Sequence, residues 1–281
     1  MKPIFALARI LGNEMPPRDV PDGRLISLQH LIREPPLCGV IKFWIINRVW
    51  DPRLAATYRK LLSTVVGLVH ELPFEPGRYF EAQNQHEQLL YCPGINNARN
   101  EGLRIAFEEY DVKFAAIFDG DCGFTPDQWN TVSSEIFGDC VNCVERQAYS
   151  VPMVRVDPSV WEHALVGPPN IIPDDPHEPQ LIISRRAWEK GLCYDESLAF
   201  DENDKVRLLE NLGHHTWIDR WHETLREDQC RSIGRCCHVN TGSDMVEASI
   251  HEQWSARQKA KAQFHADITR YYQGSYSDGS V

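Results

Sequence analysis

The stretch Phe114-Ala115-Ala116-Ile117-Phe118-Asp119-Gly120-Asp121 decides the fold. Its five apolar residues read as a buried strand. The strand ends in two carboxylates around a glycine. A strand fixes the backbone, and a glycine lets a ligand come close. Two hard oxygen ligands suit magnesium or manganese. Carboxylates at the carboxyl end of a central strand lie where open α/β sheets bind ligands. Asp-Gly-Asp is also good turn chemistry, so the triplet is read together with its neighbours.

Upstream, residues 4–11 read as a first strand, broken by the polar loop Gly12-Asn13-Glu14-Met15-Pro16-Pro17. Leu25, Leu28, Leu31 and Ile32 have helical spacing. Residues 40–46 form a second buried strand that runs into Asn47-Arg48-Val49-Trp50-Asp51-Pro52. Asp51 is placed to cap a helix with Pro52 in its first turn. A third strand is expected over 65–69, and 72–93, with Pro73, Pro76, Gly77 and Pro93, reads as irregular. A helix over 97–110 leads into the carboxylate strand, and a helix capped by Thr125 follows over 126–137. Alternating strands and helices predict an α/β fold with a mostly parallel central sheet flanked by helices.

The second half is less regular. Residues 148–156 and 181–184 read as strands, with a proline-rich loop between them. Helices are expected over 204–212 and 250–272, and the small polar residues 274–281 read as a flexible tail. The simplest organisation is one unit over 1–273, with a first half to about 138 and a second from 139.

Composition limits the partners. The chain has 281 residues, 42% of them hydrophobic, with 8 tryptophans, enough for a sizeable core. Against 40 acidic residues stand 29 basic ones, a formal net charge of -11 with no Lys/Arg-rich run, which argues against polymeric nucleic acid. The N-terminus is too soon charged for a signal peptide, and no stretch approaches the roughly 18 apolar residues of a membrane span. A cytoplasmic protein is expected, with peripheral membrane association open. Nine scattered cysteines fit reduced thiols better than a disulfide framework.

Three segments line up: Asn97-Ala98-Arg99-Asn100-Glu101-Gly102, Phe118-Asp119-Gly120-Asp121-Cys122-Gly123-Phe124-Thr125-Pro126, and Asp201-Glu202-Asn203-Asp204 running to Leu212-Gly213. This order resembles the glycosyltransferases of the GT-A fold, especially family 2 and its galactosyltransferase-like relatives. They show an Ala-Arg-Asn helix start, a strand ending in Asp-x-Asp, and later an acidic pair opening a helix that ends near Leu-Gly. The resemblance covers residues 4 to 215. It implies a nucleotide-sugar half followed by an acceptor half, and transfer of a sugar from a nucleotide-diphosphate sugar to an acceptor hydroxyl with inversion. A manganese or magnesium ion would assist departure of the diphosphate.

The resemblance assigns roles residue by residue. Asp121 would ligate the metal, and Asp119 would contact the ribose or the metal. Arg99 would reach the donor phosphates, although a helix-start arginine also pairs readily with a carboxylate. Gly120 lies with the donor, and Asn13, Glu14, Asn47 and Asp51 are the polar candidates at the first strand ends, Asn47 being the donor contact chosen. Asp204 matches the base that takes the acceptor proton. Asn203 stands where an acidic residue is usual, so Asp201 and Glu202 are kept beside it, and an acidic helix start also suits the helix dipole. A third metal ligand is expected from a C-terminal histidine, His238, ahead of His214, His215 and His222. Trp188, Trp217 and Trp221 could stack on a sugar, and Glu178 is a weaker acceptor contact.

Other readings compete. Cys140-x-x-Cys143 with Cys230, Cys236, Cys237 and His238 offers zinc ligands, but a ribbon needs a second close pair of similar spacing. A metal-dependent nucleotidyltransferase would use the same carboxylates with a Gly-rich phosphate loop, which Gly12-Asn13-Glu14 does not supply. A GT-A-like domain that binds without turnover is the third.

Overall fold

A computed structural model describes residues 3–16, 19–65, 67–166, 177–199, 204–212, 229–239 and 250–277. The first half alternates as expected. Strand β1 (Phe5–Leu11) leads through helix α1 (Gly23–Leu31) to β2 (Val40–Asn47), then α2 (Pro52–Leu62) and β3 (Leu68–Leu72). Helices α3 (Pro76–Glu81), α4 (Gln85–Tyr91) and α5 (Ile95–Arg104) precede β4 (Phe114–Asp119). A two-residue strand β5 (Cys122–Gly123) and α6 (Pro126–Val141) follow.

After these come β6 (Ala148–Val156), α7 (Pro158–Val166), β7 (His177–Ser184) and α8 (Arg185–Glu189). The remaining elements are α9 (Asp204–Asn211), β8 (Cys230–Ser232), β9 (Cys236–Val239) and α10 (Ile250–Ser277). The strands form one sheet in the order β3-β2-β1-β4-β7-β6-β9-β5, with β8 also paired to β6. Among the described strands only β7 and β5 run against the others.

Strand parity sorts the core into layers. Ala6, Ala8 and Ile10 of β1 and Ala115 and Ile117 of β4 face α5 and α9, where they meet Ala98, Leu103, Leu208 and Leu209. Phe5, Leu7, Phe114, Ala116 and Phe118 point the other way, toward Trp129 and Val132 of α6. Successive side chains on a strand alternate faces. Asp119 follows Ile117 by two, so it falls on the α5/α9 face at the carboxyl end of β4. The chain leaves β1 for β2 on one side and returns to β4 on the other. The carboxylate strand therefore sits at the switch point where open α/β sheets form a crevice.

Helix starts follow local chemistry. The Asp51 side chain accepts the Arg53 N–H beneath Pro52. Thr125 and Gln128 cap α6 reciprocally.

Several expectations need correction. Residues 72–93 are not irregular. Pro76 opens α3, and the Asn84 side chain caps α4 through the Glu87 N–H. Proline in a first helical turn starts a helix, because its missing N–H has no partner to lose there. The third strand lies at 68–72 rather than 65–69. Helix α10 runs to Ser277, beyond the expected helix end at 272, and residues 278–281 of the expected tail lie outside the described residues. Ala260, Phe264 and Ile268 of α10 are buried against Met15, Tyr79 and Tyr91. Once a helix is anchored by such packing, adding a residue costs little.

Candidate functional site

Asp119 is partly exposed, at 26% of its side chain. Its Oδ1 accepts from Arg99 Nη2 at 2.9 Å, so the helix-start arginine of α5 reaches the end of β4. Its Oδ2 accepts from Lys205 Nζ at 2.7 Å and from Gln180 Nε2 at 3.0 Å. Gln180, fully buried in the neighbouring strand β7, also accepts the Asp119 backbone N–H at 3.1 Å. Burial alone would raise the Asp119 pKa. Lys205 and Arg99 outweigh it and hold the carboxyl well below the usual range.

The Lys205 contact brings α9 to the site. Its side chain is 1% exposed, and the next turns of the helix bury Leu208, Leu209 and Leu212 in the core. Asp204, the residue before it, is the first of α9. The helix of the proposed base and the strand of the paired carboxylates therefore meet, 86 residues apart in sequence. The Asp204 side chain, Asp201, Glu202, His214, His215, Trp217, Trp221 and His222 lie outside the described residues, as does the side chain of Glu178.

Asp121 sits in the turn between β4 and β5. The antiparallel pairing of β5 with β9 sets Cys122 opposite His238 and binds the Val239 N–H to the Asp121 carbonyl at 2.8 Å. His238 Nε2 lies 3.1 Å from Asp121 Oδ2. Burial works against both charges. The His238 cation nevertheless lowers the Asp121 pKa to about 2, and Asp121 raises that of His238. His238 Nδ1 is buried with no hydrogen-bond partner. With His238 neutral, its Nε2 and the Asp121 carboxylate oxygen would together offer a divalent cation two donors. Asp119 differs, because both of its oxygens already meet cationic groups. Among the described residues no three His, Cys, Asp or Glu side chains gather as a metal cluster. That includes the cysteines of the zinc reading, where Cys140 and Cys143 are exposed while Cys230, Cys236 and Cys237 are buried.

Gly120 has a packing cause. A Cβ there would lie 2.5 Å from the Ile10 carbonyl oxygen and 2.8 Å from Leu11 Cδ2. The glycine thus lets β1 pass close to the turn. Asn47 is buried, and its Nδ2 donates to the Gly94 carbonyl at 3.2 Å, which ties β2 to the start of α5. Trp188 packs on Phe107 with ring centres 5.4 Å apart, at the core rather than in the crevice.

A buried charge cluster fixes the other end of the turn. Arg9, hidden in the apolar run of β1, is 1% exposed. Its Nε donates to the Cys122 carbonyl at 2.7 Å and its Nη2 to Glu34 Oε1 at 2.7 Å. The same Glu34 oxygen accepts the Phe124 N–H at 2.7 Å, while Glu34 Oε2 pairs with Lys42 Nζ at 2.6 Å. Arg9 and Glu34 therefore grip the backbone on both sides of Gly123, directly after Asp121. Sequence reading missed Arg9, Glu34, Gln180 and Lys205. An arginine inside an otherwise aliphatic strand was the available signal for the first.

No family model and no curated protein matches the chain. Among solved structures it is similar to S. aureus TarS 1-349, with a TM-score of 0.42 and 10% identity over 96% of this chain and 91% of that one. The match to TarS 1-349 in complex with UDP spans 73% of this chain and 54% of that chain. A further similar structure is a mannosyltransferase from Pyrobaculum calidifontis in complex with GDP-Man and Mn2+, at a TM-score of 0.44 and 12% identity over 96% and 65%. The 4-diphosphocytidyl-2C-methyl-D-erythritol synthase from Anaerococcus prevotii matches at 0.35 and 10% over 94% and 100%.

Proposed function

We propose that the chain is a glycosyltransferase that moves a sugar from a nucleotide-diphosphate sugar to an acceptor hydroxyl. The observation that carries this reading is the meeting of Asp119, Asp121, His238, Arg99 and Lys205 at one carboxyl edge of the sheet. These groups come from four separate elements and converge on two carboxylates at a switch point. By the sequence resemblance Asp121 would ligate the metal and Asp119 would contact the nucleotide ribose or the metal.

The chemistry follows from the charges. Departure of a nucleoside diphosphate builds negative charge, which fixed cations nearby stabilise. Arg99 and Lys205 are such cations; Asp119, itself fixed by Gln180, holds them at the strand end. Asp121 and His238 are the residues that would hold a divalent cation, which when bound supplies Lewis acidity to the diphosphate. Asp204, opening α9 beside Lys205, is the proposed general base for the acceptor hydroxyl, with Asp201 and Glu202 upstream of it. A direct displacement of this kind inverts the anomeric centre. No helix of the described residues is long and apolar enough to cross a membrane.

The test is a screen of nucleotide sugars for diphosphate release, followed by NMR of the product anomer. Release with inversion supports the reading. Release of pyrophosphate from a nucleoside triphosphate and a sugar phosphate would make the chain a nucleotidyltransferase instead.

A further inference from the structure

Strand β6 brings a further basic group to the carboxylate edge. It ends at the same edge as β4, because β7 runs antiparallel to both. It is parallel to β9, and the register sets Arg155 beside His238 and Val154 beside Cys237. Val154, Val156, Cys237 and Val239 are buried in one cluster with Leu28 and Leu31 of α1. Successive side chains on a strand alternate faces, so Arg155 shares the opposite face with His238, whose Nε2 lies 3.1 Å from Asp121.

Arg155 differs from the other cations of this region in having no partner. Arg99 and Lys205 meet Asp119, Arg24 meets Asp19, and Arg9 meets Glu34. The Asp121 carboxylate is taken by His238. Arg155 is partly exposed and makes no hydrogen bond or ion pair among the described residues, and its Nε is buried with no acceptor. A charged donor buried without an acceptor is unfavourable until something fills the place.

The charge of Arg155 is felt at the Asp121–His238 pair. Burial lowers the His238 pKa and Arg155 lowers it further as a like charge, although Asp121 raises it overall. With His238 protonated, two cations stand against one carboxylate. A divalent cation held by Asp121 and neutral His238 would leave the same positive excess. An arginine with its donors free presents a planar fork that matches two oxygens of a phosphate.

We propose that Arg155 binds a phosphate oxygen of the nucleoside diphosphate held at the Asp121–His238 pair. The naming of the anion as a donor diphosphate rests on the transferase reading; an oxyanion contact at Arg155 does not.

Equilibrium dialysis with radiolabelled pyrophosphate, UDP and GDP tests it, at low salt with manganese. Pyrophosphate serves as the probe without a base. It and at least one nucleotide should bind the wild type saturably. Arg155→Met keeps the apolar stem and removes the fork. It should weaken both at least tenfold, and its ligand-free melting temperature should not fall, because the folded chain loses no contact of the guanidinium. Arg155→Lys restores the charge without the Nε–H and should recover only part of the affinity. Equal affinities in the wild type and Arg155→Met would overturn the proposal. So would no binding by any of the three probes, or a lower melting temperature with unchanged affinity. A tenfold loss in Arg155→Met, with no sugar transfer by the wild type from any nucleotide sugar, would sink the transferase and leave the Arg155 contact standing.

Discussion

Lys205 Nζ lies 2.7 Å from Asp119 Oδ2, in a contact that joins the first turn of α9 to the carboxyl end of β4. The ammonium is buried, whereas the carboxylate opens to the crevice. Asp119 keeps Arg99 and Gln180 when the lysine is removed. Lys205→Met should therefore cost about 1.5–3 kcal/mol, the range for a hydrogen bond to a charged group, and less than loss of an isolated buried pair. Urea unfolding measures it. An unchanged midpoint would show that the contact does not hold α9 in place.

Glu34 should contribute to the acid sensitivity of the fold. Burial alone would raise its pKa, but Arg9 and Lys42 lower it beneath the ordinary 4.5. A carboxylate whose folded pKa is depressed adds stability above its unfolded pKa and loses it as pH falls through the folded value. Stability should therefore hold down to about pH 5 and fall below it. Glu34→Gln should cost about 3–5 kcal/mol at pH 7, because it leaves two buried cations uncompensated. The variant should also lose much of the acid dependence. Parallel slopes for the two proteins between pH 5 and 3 would contradict this.

Gly120→Ala tests whether the turn glycine is a packing requirement. The new Cβ would meet backbone, which cannot rotate away as a side chain can. A loss of about 1–3 kcal/mol is expected, as for other overpacked sites. Full stability with weakened nucleotide affinity would instead mean that a ligand fills the space.

Asp204→Asn should reduce turnover by about 10²–10⁴-fold with donor affinity nearly unchanged, as expected for loss of a general base. Separate substitutions of Asp201 and Glu202 decide which carboxylate takes the proton. Retention of the anomeric configuration would exclude a single displacement, whatever the variants do.

The first half of the fold was legible because its strands are long apolar runs and its helices carry explicit caps at Asp51 and Thr125. Asp119 and Asp121 could be placed at a sheet edge for the same reason. Their partners could not. The approach of His238 to Asp121 depends on the pairing of β5 with β9, strands of two and four residues with no readable period. Gln180 and Lys205 reach Asp119 only through tertiary packing across 61 and 86 residues. Arg9 was read as one residue of an aliphatic strand, since its counter-charge Glu34 lies beyond the next helix. The prolines near 76 and 93 read as breaks, although Pro76 starts a helix.

The central claim is that nucleoside diphosphates bind at the Asp119–Asp121 edge with help from a divalent cation. The most direct measurement is thermal unfolding with UDP and GDP, with and without manganese, in the wild type and in Asp121→Asn. The account predicts that one nucleotide stabilises the wild type in manganese, by roughly 2.7 kcal/mol at a hundredfold excess over Kd. Asp121→Asn should show no such gain over its own nucleotide-free melting temperature, which itself falls with loss of the His238 ion pair. No stabilisation by either nucleotide, or an equal gain in Asp121→Asn, would contradict the account.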